Sequence, residues 1–532
     1  MPIAATIKAG LYKDSVALMR IGELALAQPD VERATLLMGT PANKEMLEAA
    51  GLRCPELDAA RPNDLMIVVE ARSIPALEGA QAAVARLLDG EQVRRDSPAM
   101  PGTMPPRSIA MSLRHGAGAR IAQISVPGPY AGAEAMKALR SGLHVFLFSD
   151  NVPLAQERAL KALAQRKNLL VMGPDCGTAI IGGVPLGFAN VVRRGSVGLV
   201  GASGTGLQQV SCRIHDLGQG VSHVIGTGGR DVHAEIGGET MGQALDLLAG
   251  EPDTQVIGIV SKPPAPEVAT AIIERAARAG KPCVVLFLGT DLSQRGLPPH
   301  VVPVATLDDA AAVAVALALG QRPEASPRHD DERALASAEA HCFAESQRHI
   351  RGLFSGGTFC TEARLIWQAS GVHAQSNLPI DAGEITGEST AAVHCAIDFG
   401  AGEFTVGRPH PMIDMTTRVE RILREARDAS VAVVLLDIVL GYGSHPDPAG
   451  VLAPAVAAAT ALAAQADRHL AVVTFVCGTE EDPQRRSVQQ RKLRDAGALV
   501  CASSTGAARL AGAIAIAAAE RASGHRAIEH TG

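Results

Sequence analysis

The sequence predicts a multidomain α/β protein built from parallel, doubly wound sheets. Three observations carry that prediction. A chain of 532 residues is long enough for several domains. Ala, Gly, Val and Leu dominate it while aromatics make up 3%, which suits parallel strands buried on both faces and read as aliphatic runs. Strand-like and helix-like runs also alternate along nearly the whole length, the pattern of βαβ units.

The first domain, 1–93, is a small α/β unit. "DSVALMRIGELAL" has helical spacing, "ATLLMG" and "LMIVVEA" read as strands, and "ALEGAQAAVARLL" is helical again. The "GTPAN" turn, Gly39 to Asn43, starts the second helix. The proline-rich, charged stretch "RRDSPAMPGTMPPR", 94–107, reads as a linker. A second domain, 105–194, runs "ARIAQISVPG" (strand), "GAEAMKALRSG" (helix), "LHVFLFSD" (strand), "VPLAQERALKALAQR" (helix) and "NLLVMGPD" (strand), then an irregular "CGTAIIGGVPLGFANVVRRG".

The third domain, 195–320, is expected as strand 196–201, helix 206–217, strand 221–226, helix 239–249, strand 255–261, helix 265–279 and strand 282–288. The polar "QRPEASPRHDDER", 321–333, marks a boundary. A fourth domain, 345–522, has strands at "CAIDFG", "VAVVLLDIVLG", "LAVVTFVCG" and "ALVCASS". "VGLVGASGTGLQQV" and "RGLFSGGTFCTEA" share a strand–small-residue turn–helix pattern, as if the third and fourth domains were a distant duplication.

Composition excludes some functions. A net charge of −6 without a Lys/Arg block argues against nucleic acid as a partner. The nine cysteines are scattered with no C-x-x-C pair, as in a reducing compartment without structural zinc or disulfides. No metal-ligand spacing occurs, and "MPIAATIKAG" lacks the features of a signal peptide. The most apolar late tract, "LAGAIAIAAAE", falls short of a membrane helix. A soluble cytoplasmic protein, without membrane contact, is expected.

The small-residue turns lie at strand ends, where open parallel sheets bind ligands. Gly201 and Gly206 have the spacing of a phosphate-binding loop, but Leu207 and Gln208 replace its Lys and Ser/Thr. What remains is a helix N-terminus with two hydroxyls, an anion cradle of Ser203, Gly204, Thr205 and Gly206. The next turn, Gly226, Thr227, Gly228, Gly229 and Arg230, offers either a second cradle with a guanidinium or a plain turn with Arg230 paired to Asp231. Gly356, Gly357 and Thr358 form the equivalent turn of the fourth domain. In "VGRPHPMID", Gly407, Arg408 and His410 either grip an anion at a helix start or form a rigid loop with a solvated His. "DIVLGYGSHPDP" sets Tyr442, Ser444 and His445 at another strand end.

On "VMGPDCG", "VGLVGASGTG" and "VIGTGGRDV…EIGGE" the chain is identified as a member of the FdrA proteins, relatives of the succinyl-CoA synthetase α subunit. "VPGPYAGAEAMKALRSG" resembles the end of the synthetase CoA-binding domain, and the fourth domain resembles the carboxyl-terminal domain of the β subunit. In the synthetase, helix N-termini from two such domains point at a phosphohistidine. The resemblance puts their counterparts near Ser203–Gly206 and near Arg408–Asp414. It also exposes departures. "VSKPPAPE" puts Ser261 and Lys262 where the synthetase has its glutamate, and "LSQRGLPPHVV" has no GHAG-like loop, its histidine being His300.

The resemblance implies a subunit of an oxamate carbamoyltransferase, interconverting oxalurate plus phosphate with oxamate plus carbamoyl phosphate alongside other subunits. N–H groups at 203–206 and 226–229 would hold carbamoyl phosphate, Arg230 or Arg408 would neutralise charge, and His410 would move a proton. No cofactor is fixed; CoA or a nucleotide enters only through the resemblance. Two alternatives stand beside this one: an acyl-CoA synthetase with a relocated phosphohistidine, and a non-catalytic scaffold.

Overall fold

The computed structural model describes residues 1–529 apart from 12, 14, 50, 53, 96–105, 107, 116–117, 293–295, 324–329, 379–392 and 406–408. The chain divides into two compact units, Met1–Ala117 with Thr405–Pro409, and the remainder.

The first unit holds an antiparallel sheet of β1 (Ile3–Lys8), β2 (Val31–Met38) and β3 (Leu65–Ala71), in the order β1-β3-β2. The central strand is buried along its whole length. Its alternate side chains Leu65, Ile67 and Val69 pack under helices Ser15–Leu26 and Ile74–Arg95. Met66 and Val68 point the other way, into a smaller core with Leu47, Cys54 and Leu57. The alternation is that of a strand buried on both faces. Most of the expected linker at 94–107 lies outside the described residues.

In the second unit, β4 (Ile121–Ile124), β5 (His144–Leu147) and β6 (Val171–Met172) form a short parallel sheet. A hairpin of β7 (Thr178–Ile181) and β8 (Val184–Gly187) follows. This hairpin is the stretch expected to be irregular. It pairs antiparallel onto β10 (Val221–Gly226), so the next sheet begins upstream of residue 195. That seven-stranded sheet has the order β13-β12-β11-β9-β10-β7-β8, where β9 is Arg194–Gly201, β11 Val256–Ser261, β12 Cys283–Phe287 and β13 Val301–Pro303. The core strands pair in parallel, as expected. Ile257 and Ile259 pack with Leu245, Val268 and Ile272 of helices Glu239–Gly250 and Pro266–Arg278.

The last sheet has six parallel strands, in the order β15-β16-β14-β17-β18-β19. They are β14 (His349–Phe354), β15 (Ala374–Ser376), β16 (His394–Asp398), β17 (Val431–Val439), β18 (Ala471–Cys477) and β19 (Leu499–Cys501). Every residue of β17 and β18 is buried, the signature of strands covered on both faces.

The two large sheets are locked to each other. Asn190 Nδ2 donates to Leu440 O and to Asp482, whose other oxygen accepts from Val191 N. Arg486 pairs with Asp216, and Glu362 accepts from Leu307 N, Ser504 and Thr505. In both sheets the strand order reverses about one strand, β9 in the first and β14 in the second. Ligands of open α/β sheets bind outside such a reversal. Among the described residues no helix is long and apolar enough to cross a membrane.

A candidate anion site between two helix N-termini

β9 ends at Gly201, and extended Ser203 leads into helix Gly204–Asp216. β14 ends at Phe354, and extended Gly356 leads into helix Gly357–Ala369. In neither helix does the capping side chain bond to the first turn, so the free N–H groups are left to the site. The two turns meet. Ser203 Oγ and Thr358 Oγ1 lie 2.6 Å apart and both residues are buried. A Cβ on Gly206 would stand 2.3 Å from Ser203 Oγ, and one on Gly356 would stand 2.6 Å from Thr205 Cγ2. Only glycine permits this approach. Two positive helix ends brought together repel each other, and a negative charge between them relieves that repulsion.

The resemblance placed the second helix end near Arg408–Asp414. The structure corrects this: the helix that meets the first begins at Gly357, and the helix that follows 408–414 starts at Thr416. Gly407 and Arg408 lie outside the described residues.

A buried ion pair holds the second turn. Arg418 Nη2 bonds Asp437 Oδ1 at 2.8 Å and also donates to Leu353 O. Asp437 accepts in turn from Ser355 N and Ser355 Oγ. Arg418 and Asp437 are 1% and 0% exposed, so the pair fixes the turn from inside the sheet.

His410 borders the same space. Its ring lies 5.6 Å, centroid to centroid, from Phe188, whose carbonyl accepts from Thr178 Oγ1, and a Cβ on Gly204 would lie 3.4 Å from that same hydroxyl. Burial, then the nearby Arg418, pushes the His410 pKa down to about 4. The ring is therefore neutral at neutral pH. Its Nδ1 accepts from Met412 N, which leaves the proton on Nε2. His410, expected to move a proton, thus presents a hydrogen-bond donor to the site.

The turn Gly226–Arg230 is filled from within. A Cβ on Gly228 would stand 2.2 Å from Pro174 O. Arg230 pairs neither with Asp231 nor with open space: its Nη2 bonds Glu157 at 2.8 Å and Val152 O at 2.7 Å. Asp231 accepts from Lys161 and from Thr240 N and Met241 N. Arg230 is a tie between layers, not a free anion clamp. Tyr442 is exposed, and His445 Nδ1 is taken up by Asp447 N.

Sequence reasoning gave no role to the charged side chains beside the cradle. Asp175 is open to solvent, yet the protein around it raises its carboxyl to about 6, against the pull of Lys262. Asp398 is likewise raised to about 6 by burial, opposed by the Gly400 N–H and by Lys262. The one available signal was Lys262 itself, a cation at the end of an otherwise apolar strand.

Three family models match the chain. "CoA-ligase" matches residues 353–514, "CoA binding domain" 192–289, and "AllF, heavy metal-associated domain" 1–101. The CoA-binding match thus covers the third expected domain, not the second. Among curated proteins, the uncharacterized protein YahF of Escherichia coli K12 is 41% identical, over 96% of this chain and 98% of YahF. The alpha subunit of ADP-forming succinate–CoA ligase from Aquifex aeolicus is 27% identical over 27% of this chain and 48% of its own length. The ADP-forming sulfoacetate-CoA ligase subunit SqwL of Acholeplasma is 28% identical over 32% of this chain and 59% of its own.

The residues present do not fit one of the groups these names evoke, a heavy metal. Residues 1–101 contain no histidine and one cysteine, Cys54, which is buried among apolar side chains with its thiol pKa raised. Among all described residues no cluster able to hold a metal ion occurs. With YahF matched along almost its entire length, the chain belongs to the FdrA-type family built from succinyl-CoA-synthetase-like domains.

Proposed function

We propose that this chain is the carbamoyl-transferring subunit of an oxamate carbamoyltransferase, with the phosphate of carbamoyl phosphate held between the Gly204 and Gly357 helix ends. One observation carries the reading: two helix N-termini face each other across the Ser203–Thr358 contact. His300, the histidine nearest the lost phosphohistidine loop, has its Nε2 at 3.1 Å from Ala277 O, on the backbone of helix Pro266–Arg278. An arrangement of N–H donors with His300 tied to Ala277 O suits an acyl phosphate that reacts directly. The acceptor nitrogen would attack the carbamoyl carbon, and phosphate would leave into the helix ends. The His410 Nε2–H would support charge on the carbamoyl oxygen. The Gly226–Gly228 N–H groups drop out, because Gly226 and Gly228 are pressed on backbone carbonyls.

An acyl-CoA ligase is the second reading, favoured by the CoA-ligase and CoA-binding matches. One assay separates them. The chain, purified with whatever subunits accompany it, is given oxalurate and phosphate and assayed for carbamoyl phosphate. The transferase reading expects product and sequential kinetics, without phosphate on the protein. Acid-labile phosphate on a histidine of this chain, with acyl-CoA formed from CoA, ATP and a carboxylate, would overturn it.

A further inference from the structure

Most cations near the site are already committed. Lys161 is paired with Asp231, Arg230 with Glu157 and Arg418 with Asp437. Lys262 differs: among the described residues its ammonium makes no ion pair within 4 Å, and it is half-buried. It follows directly on β11, beside β9 in the sheet. Two positions back, Val260 lies with its Cγ1 3.2 Å from where a Cβ on Gly206 would stand. β11 thus brings the chain up to the cradle, and Lys262 is the first residue beyond its end. Two carboxylates from different sheets, Asp175 and Asp398, feel its charge.

Asp398 is placed to exchange a proton. Its Oδ1 accepts from Gly400 N at 2.9 Å. Its Oδ2 lies 2.8 Å from where a Cβ on Gly357 would be, at the first turn of the second cradle helix. A Cβ on Gly400 would stand 3.0 Å from His410 Nε2, 3.1 Å from Asp398 Oδ1 and 3.1 Å from Ser355 O. The missing side chain keeps open a small space bounded by a donor, a carboxylate and a carbonyl. The charged groups around Asp398 are Lys262, Asp437 and Arg418, with neutral His410 beside it.

We infer that Lys262 receives the carboxylate of the acceptor substrate, a small acid with an amide nitrogen next to its carboxylate, and that Asp398 takes the proton this nitrogen releases. The inference rests on the acyl-phosphate reading above. The step balances within the site. The nitrogen lone pair forms the C–N bond to the carbamoyl carbon. The C–O bond to phosphate breaks and its electron pair leaves with the phosphate. The nitrogen's proton passes to Asp398 Oδ2 and then to solvent. The helix ends take the phosphate and the ammonium takes the carboxylate, so each anion has its own partner.

Calorimetry on the full chain with two probes, inorganic phosphate and oxamate, tests this. Lys262→Met should weaken oxamate roughly ten- to a hundredfold, the worth of a charge-assisted contact. Phosphate should change only a few-fold, which also shows that the variant is folded. Lys262→Arg should recover most of the oxamate affinity. Unchanged oxamate affinity in Lys262→Met overturns the Lys262 assignment and leaves the phosphate cradle standing. Wild-type chain that binds neither probe overturns the acyl-phosphate reading, and this inference with it. In the assembled enzyme, Asp398→Asn should keep oxamate binding, cut turnover on the order of a hundredfold or more and remove the acidic limb of the pH profile. An intact limb with near-normal turnover overturns the role of Asp398.

Discussion

Two small-residue turns lie at the ends of neighbouring strands, Ser203–Gly206 after β9 and Gly226–Arg230 after β10. In sequence they look alike, and both read as anion cradles. In the structure the second is occupied by the protein itself. Gly228 is pressed on Pro174 O, and Arg230 is spent on Glu157 and Val152 O. The first is pressed on another turn of its own kind, with helix ends facing and hydroxyls touching. A glycine turn therefore says that something comes close, but not whether that is a ligand or backbone. The distinction lies in what faces the turn, and that is set by the strand order.

Four experiments bear on this contrast. The largest effect is expected for Arg418→Met, which strands Asp437 in the core beneath Ser355. Losing one partner of a buried pair costs about 3–5 kcal/mol, read as a fall in the denaturant midpoint, and phosphate binding should go with it. Next is Gly206→Ala. Its Cβ meets Ser203 Oγ at 2.3 Å, so overpacking of about 1–3 kcal/mol is expected together with loss of phosphate binding. Gly204→Ala is its control. The Cβ there meets only Thr178 Oγ1, at 3.4 Å, and binding should survive. Equal behaviour of the two variants would mean that the turns do not need to meet.

The third experiment uses pH. His410 has its pKa pushed from 6.5 to about 4, so the unfolded chain takes up the proton first. Its contribution is full above 6.5 and lost as pH falls toward 4. Asp398 is raised from 3.8 to about 6, so its contribution is full below 3.8 and lost as pH rises through 6. Between pH 5 and 7 the stability gap between wild type and His410→Asn should widen as pH rises, and that for Asp398→Asn should narrow. Each change should be on the order of 1–2 kcal/mol. Slopes of the same sign would place one of the two groups outside the site.

The smallest effect is expected for Arg230→Met. Its partner Glu157 keeps Lys161, and the guanidinium is 36% exposed, so the loss should be about 1 kcal/mol with phosphate affinity unchanged. Strong loss of phosphate binding would erase the contrast between the turns.

Much of the fold was legible because buried parallel strands are written as aliphatic runs. The strand expected at 196–201 is Arg194–Gly201, and the helix expected at 265–279 is Pro266–Arg278. The β7–β8 hairpin was not legible. "TAIIGGVPLG" carries two glycines at its turn and a proline on an edge strand, and its pairing with β10 is a tertiary choice. In the site, the glycines at 204, 206, 356 and 357 and the hydroxyls of Ser203, Thr205 and Thr358 were legible as turn chemistry. Their partners were not. That the Gly357 helix, and not one beginning near 408, meets the first follows from β14 standing at the reversal of its sheet, which periodicity does not encode. Lys262 and Asp398 stand 136 positions apart, and only the packing of one sheet against the other brings them together.

The lock of Asn190, Val191 and Thr479 around Asp482 has a consequence for dilution. Both helix ends belong to one polypeptide, so their meeting is intramolecular. Its equilibrium is governed by an effective concentration in the millimolar range or above, not by the amount of protein in solution. A site shared between separate chains falls apart when those chains are scarce. Here the anion site should stay assembled at any expression level, and scarcity of other subunits would limit only the steps those subunits perform.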